Sequence, residues 1–170
     1  MKILHTTLTG LLIMLPNCVQ PKTIGWHGVV PLRSTRADAI RLLGPPNVEG
    51  RYYEIDNNTV HIDYSDGPCE KGKSGWNVPR DTVVSISLAP TKDLKFSDLQ
   101  IDKRKYKKSK DGELPGIVYY TNDAEGITIS VSEGEVRNIY YNPTSKDEHL
   151  RCPSSAGSSG NSTRRQPKKT

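Results

Sequence analysis

The chain is poor in the materials of a large core. Its 170 residues include one Phe, two Trp and two Met, and AVILMFWYC residues make up only 34%. An ordinary globular chain is about 45–50% apolar on a similar count, so one modest domain is the most this composition fills. The length excludes a TIM barrel or a two-domain dinucleotide enzyme, which need ~250 residues or more. No apolar run reaches the ~20 residues of a membrane-spanning helix. Gly-x-Ser-x-Gly is absent, and nothing resembles a glycine-rich phosphate loop. Ser109 and Ser145 have no base placed beside them by the sequence, and carboxylates such as Asp63 and Asp66 fall around a turn. These absences point away from an enzyme, and no cofactor is called for.

Acidic residues are missing from both ends. The chain carries 24 Lys and Arg against 19 Asp and Glu, a net +5. Five of the cations are Lys2, Arg164, Arg165, Lys168 and Lys169, so residues 3–152 are neutral. The basic balance therefore belongs to the ends of the chain. Within the neutral part, Lys103, Arg104, Lys105, Lys107, Lys108 and Lys110 crowd into eight residues. The rest of that part carries the opposite charge, so the domain is dipolar. Such a run reads either as a solvated loop or as a patch for an anionic surface.

Met1-Lys2 leads into Ile3, Leu4, Leu8, Leu11, Leu12, Ile13, Met14 and Leu15, and Pro16 ends the run. A cationic start and a short apolar stretch are the first two parts of an export signal. Residues 1–20 are expected to be a signal peptide and 24–152 a single domain. Residues 153–170, rich in Ser and Gly with a basic end, are expected to be a disordered tail. Leu15-Pro16-Asn17-Cys18 resembles a bacterial lipobox, with Cys18 the candidate for lipidation, although Asn17 stands where a small residue normally precedes the Cys. With Cys18 set aside, Cys69 and Cys152 form an even pair in an exported chain, and their disulfide would close 83 residues. Two unpaired thiols are the alternative. An exported protein, whether periplasmic, envelope-associated or secreted, does not meet nucleic acid. Its partners are then an envelope or extracellular protein, or an anionic surface of lipid head groups or polysaccharide.

One short helix is legible at 35–43, with Ser34 or Thr35 as its cap, Asp38 in its first turn and Gly44-Pro45 as its stop. Ala39, Ile40 and Leu43 are expected on its inner face. Alternation predicts strands at 51–56, 59–65, 82–89, 117–121, 127–132 and 136–141. Turns fall at Asp56-Asn57-Asn58, Asn122-Asp123 and Glu133-Gly134. Residues 66–80 and 90–114 read as loops, the second with a helical turn near 97–101. Val60, Ile62 and Tyr64 share one side with Val84, Ile86 and Leu88 and with Ile127, Ile129 and Val131, while Ser, Thr, His61 and Asp63 occupy the other. That pattern describes an antiparallel sheet with one covered and one wet face. The expected fold class is α+β, with the short N-terminal helix packed on one face of the sheet in two layers.

Leu32-Arg33-Ser34-Thr35, followed by Ile40 and Leu42-Leu43-Gly44-Pro45-Pro46, resembles the start of the BamE/SmpA family of small envelope lipoproteins. That family runs from a polar turn into a short helix, a Leu-Gly-x-Pro stop and antiparallel strands. The β-lactamase-inhibitor proteins are built on a similar unit. The resemblance covers residues 32–46 closely and implies an exported adaptor or inhibitor. Arg33-Ser34 replaces the Gly that usually precedes the capping Thr, no second helix is evident, and the charged stretch at 102–113 departs from the pattern. Gly75-Trp76-Asn77-Val78-Pro79-Arg80-Asp81-Thr82-Val83 and His149-Leu150-Arg151-Cys152 are similar to exported bacterial proteins of unassigned function.

Two features stand out as candidate sites. Tyr pairs recur at 52–53, 119–120 and 140–141, each within a strand, so one ring of each pair is expected inside and the other outside. Exposed Tyr combines apolar area with a polar tip and favours binding surfaces. The expected binding surface joins an exposed ring, Tyr52 or Tyr120, to the cations Lys105, Lys107 and Lys108. The alternative is an enzyme working through His61 and Asp63 on the wet face. As metal ligands these are two where a site wants three or four, so no metal is expected.

Overall fold

The computed structural model describes residues 24–47, 50–70 and 74–153. The export signal, Cys18 and all of the basic tail beyond Pro153 lie outside the described residues. The helix α1 spans Arg36–Leu43. Seven strands follow: β1 Tyr52–Ile55, β2 Asn58–Tyr64, β3 Val83–Pro90, β4 Lys107–Lys110, β5 Ile117–Asn122, β6 Ile127–Ser132 and β7 Glu135–Tyr141. They form one sheet in the order β1-β2-β3-β7-β6-β5-β4. Every neighbouring pair is antiparallel. Two meanders, β1–β3 and β4–β7, therefore meet where β3 pairs with β7.

The fold is mainly β, and the α+β two-layer expectation is corrected. An eight-residue helix is about 12 Å long, whereas seven strands span on the order of 28 Å from first to last. Of α1 only Ala39 is buried, and Ile40 and Leu42 are 40% and 41% exposed. The helix is real and locally well specified. Thr35 caps it, accepting a bond from the Asp38 N–H while Asp38 accepts one from the Thr35 N–H, which satisfies two otherwise orphaned donors. Gly44, at φ 87°, ends it.

The sheet is covered in two parts. Over β1–β3, Trp26, Val29 and Ala39 pack with Tyr53, Val60, Ile62, Tyr64, Val83, Ile86 and Leu88. Over β5–β7, the crossover of residues 91–106 lays Leu94, Phe96, Leu99, Ile101 and Tyr106 against Ile129, Val131 and Val136. Ile139 of β7 packs against both clusters. The crossover is pinned by Val136 N–H to Leu94 O at 2.8 Å and Phe96 N–H to Gly134 O at 2.9 Å.

Two turns match the residues that form them. Asp56 and Asn57 both have positive φ, as do Glu133 and Gly134, the geometry of two-residue hairpins whose twist suits the flanking strands. One parity assignment changes. Between the pairs Asp63–Ser85 and Tyr64–Val83 the strand β3 carries an extra residue, Val84. This bulge puts Val83 in the main core and leaves Val84 against a separate cluster of Leu32, Trp76, Val78 and Leu150.

The Cys69–Cys152 disulfide is present, with Cα atoms 5.4 Å apart. It joins the 66–80 loop to the segment after a 3-10 helix at Ser145–Leu150. Asn77 N–H to Leu150 O at 2.7 Å and Cys152 N–H to Gly75 O at 3.0 Å run beside it. No helix among the described residues is long and apolar enough to cross a membrane.

Candidate functional site

The cationic run is structured. Asp102 caps a 3-10 turn at Lys103–Lys105 by accepting from the Arg104 N–H, and Lys107–Lys110 is the strand β4. This strand is the one that alternation missed, because Lys-Lys-Ser-Lys shows no apolar parity. All four of its residues are exposed, and it lies at the edge of the sheet. A strand without apolar residues forms here because β5 offers it a complete partner: Lys107, Lys108, Ser109 and Lys110 pair with Thr121, Tyr120, Tyr119 and Val118.

The six cations divide into two groups. Arg104 sits 2.9 Å from Asp102, Lys105 Nζ 3.4 Å from Glu125 and Lys107 Nζ 3.0 Å from Asp123. The Arg104 hydrogen bond holds the Asp102 carboxyl below the usual carboxylate range. Exposed pairs of this kind add little stability, but they neutralise three of the six charges. Lys103, Lys108 and Lys110 have no carboxylate partner among the described residues. Lys103 Nζ lies 4.9 Å from the centre of the Phe96 ring, and Lys108 Nζ lies 5.9 Å from that of Tyr120, both within cation–π range. Phe96 and Tyr120 are themselves stacked, with centroids 4.1 Å apart. The result is a ladder of Lys103, Phe96, Tyr120 and Lys108, with Lys110 two residues further along the same side of β4.

Of the five candidate residues, Lys105, Lys107, Lys108 and Tyr120 come together at this edge. Tyr52 does not. It belongs to β1, the opposite edge, on the order of 28 Å away across six strand spacings. There its ring packs on His61 with centroids 4.7 Å apart. The expected division of each Tyr pair is met only in part at the first, where Tyr53 is buried but Tyr52 is half-buried rather than exposed. Both members of the other two pairs are half-buried, because the crossover covers the Tyr120 side while Tyr119 donates from its hydroxyl to Asp111 Oδ2 at 2.9 Å. Phe96 carries no signal in the sequence beyond being the one Phe of the chain.

His61 and Asp63 lie on the wet side of β2, with Nδ1 and Oδ1 3.8 Å apart. Asp63 accepts a 2.7 Å bond from Ser85 Oγ, so the hydroxyl is spent on the carboxylate and is not presented to the imidazole. No group of three His, Cys, Asp or Glu residues able to hold a metal occurs among the described residues. A cleft of about 190 Å³ lined by Tyr64, Trp76, Val84 and Cys152 sits beside the disulfide and includes none of the candidate residues. Compared with protein-family models, curated proteins and solved structures, the chain matches none.

Proposed function

We propose that the protein is an exported, non-enzymatic binding module of the cell envelope or extracellular space, which engages an anionic partner at the β4 corner. The observation that carries this reading is the ladder of Lys103, Phe96, Tyr120 and Lys108. It holds unpaired cations over stacked rings at an exposed edge. Repulsion among cations works against a compact fold, so their concentration here is better explained by recognition. Charge raises the association rate and gives salt dependence, while aromatic anchors supply more of the affinity. The disulfide supports an oxidising compartment. The resemblance of residues 32–46 to envelope lipoproteins is in keeping with an adaptor role.

Sedimentation with the envelope fraction of the source cell, across a salt series, tests the reading. Wild-type protein is expected to sediment at low salt and to be released as salt rises toward a Debye length of about 8 Å. A Lys103→Ala, Lys108→Ala, Lys110→Ala variant, with unchanged thermal unfolding, is expected to stay in the supernatant. If it sediments as wild type does, the cationic corner has no part in the function.

A further inference from the structure

Resting on that reading, we propose that β4 is a strand-addition site, taking an extended segment of a partner protein with acidic residues at alternate positions. The two edges of the sheet are treated differently. At β1, the Asn47 N–H donates to Tyr52 O at 2.9 Å, and Leu43, Pro45 and Pro46 line the space beside the strand. At β4, the four residues pair with β5 alone, and no other backbone group among the described residues bonds to 107–110. One side of β4 therefore presents free N–H and C=O groups, the template that strand addition uses.

Lysines on an edge also serve to keep other strands away. One observation favours docking over guarding: the cations of β4 are sorted by face. Lys107, on the side shared with Tyr119 and Thr121, is neutralised by Asp123. Lys108 and Lys110, on the Tyr120 and Val118 side, have no carboxylate partner among the described residues. An incoming strand alternates its side chains in the same way. Acidic residues two apart would then fall opposite Lys108 and Lys110, on the face that carries the Phe96–Tyr120 stack. The specificity is thus for a spacing, not for negative charge alone.

The probe is the peptide Glu-Val-Glu-Val-Glu-Val-Glu, with its binding to the full chain read by fluorescence anisotropy at low salt. Three comparisons decide the matter. A permuted peptide, Glu-Glu-Glu-Glu-Val-Val-Val, keeps the charge and loses the alternation, and is expected to bind several-fold more weakly. Two N-methylated peptides, blocked at odd or at even positions, separate backbone pairing from charge, because only one peptide edge faces β4. One of them is expected to lose binding and the other to keep it. A Lys108→Glu, Lys110→Glu variant, both positions exposed, turns two favourable cross-strand pairs into repulsive ones and is expected to bind roughly tenfold more weakly. If the permuted peptide and both N-methylated peptides bind like the parent while the charge reversal abolishes binding, strand addition is wrong and the anionic-partner reading stands. If the charge reversal has no effect, both are wrong. Binding to phosphatidylglycerol vesicles without binding to any peptide would overturn strand addition in favour of a lipid surface.

Discussion

Replacing Cys69 and Cys152 together by Ser removes a crosslink between residues 83 apart in sequence. In the chain-entropy treatment, a loop of that length returns about 4.5 kcal/mol of freedom to the unfolded chain at 25 °C. How much of this appears as lost stability depends on whether the folded ends stay together without the bond. Two backbone hydrogen bonds join 75–77 to 150–152, and the Arg151 guanidinium lies 4.3 Å from the centre of the buried Trp76 ring. The folded geometry should therefore persist, and a loss of about 3–4.5 kcal/mol is expected. That is a large share of the 5–15 kcal/mol typical of a domain, and it corresponds to a fall in Tm on the order of 10–20 °C. The chain has only two Trp, and they report on different regions: Trp26 lies in the β1–β3 core and Trp76 beside the bridge. Urea unfolding of Trp26→Phe and Trp76→Phe forms, on a Cys18→Ser background that removes the third thiol, follows each region alone. The expected outcome is that both probes shift to lower urea together, with a somewhat larger m value because the uncrosslinked unfolded chain exposes more surface. A loss below about 1 kcal/mol would refute the entropic argument. Early release of Trp76 with Trp26 unmoved would also refute it, since the bridge would then be a local clasp.

At Gly126, φ is 68° and an added Cβ would collide with the Asn142 carbonyl oxygen, whereas at Gly134, φ 83°, it would meet open space. Gly126→Ala is expected to cost about 2 kcal/mol or more and Gly134→Ala about 1 kcal/mol; equal losses in urea unfolding would show that crowding at Gly126 is relieved cheaply. Burial works to raise the Asp147 carboxyl, but the Arg33 guanidinium 2.6 Å away and two hydrogen bonds from Thr144 outweigh it, and its pKa sits below the ordinary value. A carboxylate lowered in this way stabilises the fold above the ordinary carboxylate range and loses that contribution as pH falls through its folded value. Arg33→Ala is therefore expected to cost about 1–2 kcal/mol at pH 7, discounted for the half-exposed Arg33 side chain, and less at a pH below the ordinary carboxylate range. The same cost at both pH values would mean that the loss is one of packing.

Strands that bury one face announced themselves. In β2, Val60, Ile62 and Tyr64 are buried and His61 and Asp63 are not, as alternation requires. The helix start and stop were equally legible, since Thr35, Asp38 and Gly44 act through contacts within a few residues. Three features were hidden, each because its cause is non-local. The bulge at Val84 is set by the pairing of β3 with β2. The strand β4 exists because β5 lies beside it. The second cover, over β5–β7, consists of scattered apolar residues in 94–106 that have no period of their own and meet only when laid across the sheet. Because 94–106 has no period, the helix is the only lid that the sequence displays, although Ala39 is its one buried residue. The aromatic half of the site is hidden for the same reason, because Phe96 reaches Tyr120 through that cover.

The crossover thus serves core and surface with one continuous segment. Its first part, Leu94 to Ile101, contributes side chains that close the sheet, and its second part, from Lys103 onward, carries the cations out along the edge. Phe96 and Tyr120 stand at the join: each packs against the Ile129, Val131 and Val136 cluster and each lies under a lysine. Truncating either ring would loosen the cover as well as remove a contact surface, so loss of binding in such a variant would not separate recognition from folding. Lys108 and Lys110 differ in this respect. They are exposed, have no ion pair among the described residues, and contribute nothing to the apolar cover. Any effect of changing them on association, at unchanged stability, is an effect at the surface. The rings make the corner rigid and apolar enough to bind, while the lysines report whether it does.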